Sequence, residues 1–334
     1  MRTVHRHGQR GAVTLAVTLA LLMAMLITLL AANRHLLVEW RQSSNQVHAA
    51  AAFEAAEAGL DWVTAMLNHG ARIGSDCRPS PLATQSFRER HLDTTSAAFT
   101  PRAAAPACVR GEAGWTCVCP DDAAPAATGG DTAFVLRFEP GHVPGQVRAT
   151  VSGSHREATA QHATLLALQP ALPLPPATAL SVRAAGESAD AFFVRHFGTS
   201  KAQWLRQPAV HRLVCEGECG AALAALAAQG VTLVALPGDV QLRGPLVLGT
   251  AERPMLIVAS GHVQLQGAVQ LHGVVHAASL GWTAPAAIVR GAMLSEGPAL
   301  GDGSLDLARD AAVLDALRTR QGSFVRLPGS WRDF

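Results

Sequence analysis

The sequence predicts an α+β chain: a long N-terminal helix that enters a bilayer, a small antiparallel β head, and a C-terminal β-solenoid-like domain. Three observations carry this prediction. An uncharged apolar run at Ala12–Ala32 continues straight into helical sequence, three strand patterns lie between Phe134 and Leu166, and glycines recur at six-residue spacing beyond Gly238.

The apolar run, AVTLAVTLALLMAMLITLLAA, holds 21 residues without a charge. About 20 such residues cross a bilayer core as a helix. The head before it carries Arg2, His5, Arg6, His7 and Arg10 and no acid. That charge keeps the N-terminus cytoplasmic and places the residues beyond Asn33 outside the inner membrane. A cleaved secretory signal has an apolar region of only about 7–15 residues, so cleavage after this run is not expected. No proline precedes Pro79, and Gly59 is the only glycine between Gly11 and Gly70. The pattern predicts one helix over residues 13–68, roughly 80 Å long. Asn68-His69-Gly70 supplies its stop. Phe53, Ala56, Leu60, Val63 and Leu67 recur at spacings of three or four and form one apolar face, expected to pack on an outer domain.

These residues carry a resemblance. Gly11-Ala-Val-Thr-Leu15 behind a basic leader resembles the processing site of type IV prepilins, where a dedicated peptidase cuts after the glycine. Phe53-Glu-Ala-Ala-Glu-Ala-Gly-Leu60 resembles the end of the N-terminal helix in minor pilins of the PilX kind, and Pro328-Gly-Ser-Trp-Arg-Asp-Phe334 resembles the close of some of them. The resemblance implies a leader over 1–11, cleavage between Gly11 and Ala12, methylation of the new N-terminus, and a transmembrane and pilin-type helix over 12–70. It implies a non-catalytic structural subunit that initiates or caps type IV pilus assembly. Its partners would be other minor pilins, the major pilin, a tip adhesin, prepilin peptidase and the inner membrane. It would lie in the inner membrane with a periplasmic C-terminal domain, then at the tip or base of a pilus on a Gram-negative cell.

One position departs from the pattern. Most prepilins carry glutamate at the fifth position after the cut, where this chain has Ala16. In the family that glutamate pairs with a neighbour's N-terminal amine, and an unpaired charge in hydrocarbon is costly. Subunits lacking it resemble tip components such as the K component of type II secretion, so this chain is expected to cap a filament rather than repeat along it. The alternatives are a type II secretion pseudopilin and a plain membrane-anchored periplasmic binding protein.

The formal net charge is +2, and no basic run lies outside the leader, which argues against a nucleic-acid partner. The six cysteines fall on the outer side, where an even count suggests disulfides. Cys215-Glu-Gly-Glu-Cys219 reads as a short staple; Cys77, Cys108, Cys117 and Cys119 are expected to bridge among themselves. Their spacing matches no zinc pattern, and neither a metal nor a cofactor is expected.

About 265 residues lie beyond the helix, room for one large or two modest domains. Residues 71–132, broken by prolines, read as a loop-rich insertion within a head over 71–169. Strands are expected at 134–138, 146–151 and 157–166, packed on the helix. Residues 170–176 read as a stiff proline-rich linker and 177–334 as the C-terminal domain. Helical stretches fall near 200–206, 221–229 and 306–320. Glycines 238, 244, 261, 267, 273, 291 and 297 separate apolar-polar alternations, the pattern of stacked parallel coils, with a β-meander as the alternative. His262, His272 and His276 raise an acyltransferase reading, since hexapeptide enzymes use a histidine between coils; those enzymes need more coils and a soluble acyl donor, so no catalysis is expected. Asp302-Gly-Ser-Leu-Asp306 reads as a turn, and Val325 and Trp331 are expected to pack on the solenoid.

Overall fold

Helix α1 runs unbroken from Arg10 to Asn68 in the computed structural model, which describes residues 10–94, 98–120, 132–215, 217–283 and 287–333. At 59 residues it is about 90 Å long. Its last third packs across an antiparallel sheet. Ala52, Ala55, Ala56, Leu60, Val63 and Leu67 are buried there. Of the apolar face read from the sequence, Phe53 lies at the border, 42% exposed, with its ring edge-on to His162. A helix face broad enough for a sheet needs adjacent rows, and Ala52 and Ala55 supply the row that Phe53 does not.

The stretch expected to be loop contains ordered elements. Helix α2 (Phe87–His91) begins with a capping box, Ser86 and Glu89 satisfying each other's backbone N–H. Strands β1 (Leu92–Asp93) and β2 (Thr100–Pro101) form a small pair, and β3 (Ala107–Gly111) and β4 (Gly114–Val118) a hairpin. These strands are too short to show a period among the prolines. A disulfide ties Cys108 to Cys117 across the hairpin, and Cys77–Cys119 closes the larger loop.

Strands β5 (Thr132–Pro140), β6 (Gln146–His155) and β7 (Ala158–Pro170) form the antiparallel centre of the head. In β6, Val147, Ala149, Val151 and Gly153 are all buried, the alternation of a sheet with one covered face. Gly153 is where helix and sheet approach most closely: a Cβ there would fall on the Ala52 carbonyl oxygen and 2.5 Å from the Ala56 nitrogen. Gly59 faces Val151 and Phe134 in the same way.

After β7 the chain leaves the head. Ala171 and Leu172, expected in a linker, are fully buried. Then come β8 (Leu180–Val182), α3 (Ala189–Phe197), α4 (Lys201–Trp204), β9 (His211–Arg212), β10 (Gly217–Glu218) and α5 (Gly220–Gln229). Ten strands come next: β11 (Leu233–Leu236), β12 (Val240–Arg243), β13 (Leu246–Leu248), β14 (Met255–Ala259), β15 (His262–Gln266), β16 (Val269–Ala277), β17 (Ser279–Thr283), β18 (Ala287–Ser295), β19 (Ala299–Gly301) and β20 (Leu305–Ala308). Every pairing among β8–β20 is parallel. One sheet has the order β10-β12-β15-β17-β19 and the other β9-β11-β14-β16-β18-β20, with β13 and β8 added on β16 and β18. Leu256 pairs with Val274 and Val274 with Ala292, a constant offset of 18 residues. At Gly273 and Gly291, with φ of +156° and +140°, the strand changes partners: before Gly291 β18 pairs with β20, after it with β8. A Cβ at Gly273 would overlap the Met255 carbonyl.

Val240, Leu242, Val263 and Leu265 from one sheet meet Leu248, Ile257, Leu271 and Met293 from the other in one core. Outside, α3, α4 and helix α6 (Ala311–Thr319) lay Phe192, Phe193, Phe197, Trp204, Leu314 and Leu317 over Leu256, Val258, Val274 and Ala292. All five residues of β14 are therefore buried, as in other parallel sheets covered on both faces.

The end of the chain corrects the reading of 177–334 as one unit. Strands β21 (Gly322–Arg326) and β22 (Arg332–Asp333) return to pair antiparallel with β7. Val325 pairs with Ala167 and Trp331 lies against His162, so both belong to the head and not to the parallel-strand region. The head sheet has the order β21-β7-β6-β5-β3-β4.

This packing can be tested at two residues. Gly153→Val should destabilise the protein by about 1–3 kcal/mol or more in urea unfolding, since helix and sheet would have to separate. His276 is fully buried among the three α3 phenylalanines, and burial, with Lys201 and His196 adding, pushes it down to about 3. Unfolded, it titrates near 6.5, so between those values the unfolded chain binds the extra proton. Its contribution to stability is then full above about pH 6.5 and falls as pH drops toward 3, by up to about 1.4 kcal/mol per pH unit. His276→Phe should flatten that part of the stability–pH curve measured by urea unfolding.

Candidate functional site on the N-terminal helix

The first half of α1 lies uncovered. Apolar side chains point out all round it, from Val13 through Leu15, Leu22 and Leu26 to Leu30. Hydroxyls in this run are satisfied inside the helix: Thr18 donates to the carbonyls of Thr14 and Leu15 and Thr28 to that of Met25, at 2.8–3.0 Å. A threonine bonded in this way carries no unmet polar group into an apolar solvent. Arg34, His35, Glu39 and Arg41 end the run, with Trp40 74% exposed among them. Gly11 and Ala12 lie in the first turn of α1; the basic residues Arg2, His5, Arg6 and His7 lie outside the described residues.

The second half is clasped by the end of the chain. Glu57 accepts a hydrogen bond from Trp331 Nε1 at 2.8 Å, and its Oε1 lies 2.7 Å from Nδ1 of buried His162. Asp61 pairs with Arg326 at 2.9 Å. Buried Asn68 donates to the Phe324 carbonyl at 2.8 Å and accepts from the Phe324 N–H at 2.7 Å, binding a strand residue as another strand would. Two of the three segments that carried the resemblance, 53–60 and 328–334, are thus brought together at Glu57 and Trp331. Nothing in the sequence singles out His162, and Asn68 reads there only as a helix stop; an amide two residues before a glycine stop was the available signal.

The remaining candidate residues do not converge. Cys215 and Cys219 form the third disulfide, beside α5. His262 bonds Ser279 and Gln264 on the outer side of β15, and His276 is enclosed under α3 with Nε2 3.4 Å from Glu296. Among the described residues, no group of three or more His, Cys, Asp or Glu side chains could hold a metal ion.

No family model matches this chain, and neither a curated protein nor a solved structure matches it. Fold and helix together define its class: an α+β protein with an antiparallel sheet and one N-terminal helix long and apolar enough to cross a membrane.

Asn68→Ala should cost about 1–3 kcal/mol, because it strands the buried N–H and carbonyl of Phe324. Urea unfolding followed by tryptophan fluorescence would measure it, with exposed Asn33→Ala as a neutral reference.

Proposed function

We propose that this chain is a minor pilin of the PilX kind: a subunit cut between Gly11 and Ala12, held in the inner membrane by α1, and assembled with other minor pilins and the major pilin to initiate or cap a type IV pilus. The observation that carries the reading is the division of α1, uncovered and apolar from Val13 to Ala32 and packed on an antiparallel sheet over its last third. Ala16 removes the one charge that a repeating subunit would carry within the span, which favours a terminal place in the filament. The parallel ladders of β8–β20, with an 18-residue offset along β14, β16, β18 and β20, support reading residues 177–320 as a small β-solenoid mounted on the pilin head and available to a tip adhesin.

The test is the mass of the N-terminal peptide from membranes with and without prepilin peptidase. A peptide beginning at methylated Ala12 is expected, lost without the peptidase, and Gly11→Val should accumulate uncut. Equal processing of the Gly11→Val variant, or an intact Met1 in both membranes, would leave a plain anchored protein.

A further inference from the structure

The head and the parallel-strand region meet where Gly70 lies against Gly230 and the Arg72 N–H donates to the Gln229 carbonyl at 2.9 Å. Beside this contact is a cleft of about 110 Å³. It has room for several waters, each needing about 10–15 Å³ on that measure. Arg88, Arg253 and Arg320 line it, and Arg72 lines the groove that continues from it past Glu252 and Arg253. Among the described residues, two carboxylates, Glu89 and Glu252, face these four guanidiniums.

The carboxylates are largely committed. Glu89 pairs with Arg253 at 2.7 Å and caps α2 through Ser86. Glu252 is held below the usual carboxylate range by its own N–H and the Thr250 hydroxyl before any effect of Arg320. Among the described residues no ion pair engages Arg72, Arg88 or Arg320. Arg88 points its N–H groups at the carbonyls of Leu67 and Gly322, at 2.8 and 2.9 Å, which satisfies its donors and leaves its charge in place. The Arg72 Nε is buried without a hydrogen-bond partner, as is the side-chain oxygen of Gln321 on the cleft wall. Four cations facing two carboxylates keep an excess positive charge and repel one another, and the guanidinium fork matches the oxygens of a phosphate or carboxylate.

We propose that this cleft binds a small phosphate-class oxyanion, gripped by Arg72, Arg253 and Arg320, with Arg88 as a fixed charge behind it. The cleft adjoins Asn68, about 50 Å along α1 from the end of the apolar run at Ala32. That separation favours a free anion over a lipid headgroup. The site neither uses nor requires the pilin assignment.

The test uses the full chain in detergent micelles, unfolded thermally at pH 7 in inorganic phosphate or in chloride of equal ionic strength. Phosphate should raise Tm in a saturable way, as for a ligand that binds only the folded state. Arg72→Gln and Arg320→Gln should each weaken the apparent affinity about tenfold or more, while Arg110→Gln, exposed on β3, should leave it unchanged. Equal Tm in phosphate and chloride would overturn the proposal, as would parental affinity in both cleft variants. A response to acetate with none to phosphate would overturn the phosphate assignment. Should either variant misfold by circular dichroism, the parent's phosphate-against-chloride comparison still decides.

Discussion

The close approach of α1 to β6 sets the geometry of the head. Alanines at 52 and 56, with Gly59, leave the helix backbone bare on one side, and Gly153 lets the sheet come against it. Larger side chains at these positions would push the two apart and withdraw Glu57, Asp61 and Asn68 from the partners they reach at the chain's end. The small residues act through the distance they permit more than through the area they bury. The long side chains of the core, Leu60, Leu67, Phe87, Phe134 and Phe324, then fill the wedge on either side of that contact.

The same sheet explains how the chain accommodates a large parallel-strand region. It departs at Pro170, the last residue of β7, and returns at Gly322, which pairs with Pro170 in the ladder. An insertion whose ends are adjacent imposes little on its host. The head closes with β21 and β22 in place, and the inserted region keeps its own core between its two sheets. The inserted region is not simply tethered. Ala171 and Leu172 run directly into the aromatic layer of α3 and α4, and Trp204 donates to the Ala171 carbonyl at 3.2 Å. The link is rigid because it is packed, not because it is rich in proline.

What the sequence disclosed tracked the strength of local patterns. The end of α1 at Asn68, the three central head strands and the pairing of cysteines by neighbourhood were readable, since each rests on contacts within a short stretch. Of the spaced glycines, Gly273 and Gly291 take a positive φ where their strands change ladder partner, a local demand that a glycine meets without strain. Other features were hidden for one reason: they depend on residues far apart. β21 and β22 are too short and too late in the chain to announce that they pair with β7. The clasp of Glu57 by Trp331 and His162 joins three segments with no shared pattern. α3 lacks a long period and is held by burial of Phe192, Phe193 and Phe197 on a parallel sheet whose strands lie far along the chain. The four-arginine cleft is likewise assembled from both regions, and none of its residues stands in a motif.

The two halves of α1 are built for different surroundings, and this locates where recognition must lie. Between Val13 and Ala32 no residue carries a charge, and the hydroxyls of Thr18 and Thr28 are closed on the helix itself. Nothing in that span demands a particular neighbour, since apolar side chains meet lipid and other helices on nearly equal terms. Ala16 belongs to this indifference; a carboxylate there would have required a partner. For the function proposed, selectivity toward other subunits therefore falls to the residues beyond the span. Arg34, Glu39, Trp40 and Arg41 are exposed on bare helix, where misplaced charges and an uncovered indole discriminate between neighbours in a way that leucine and alanine do not.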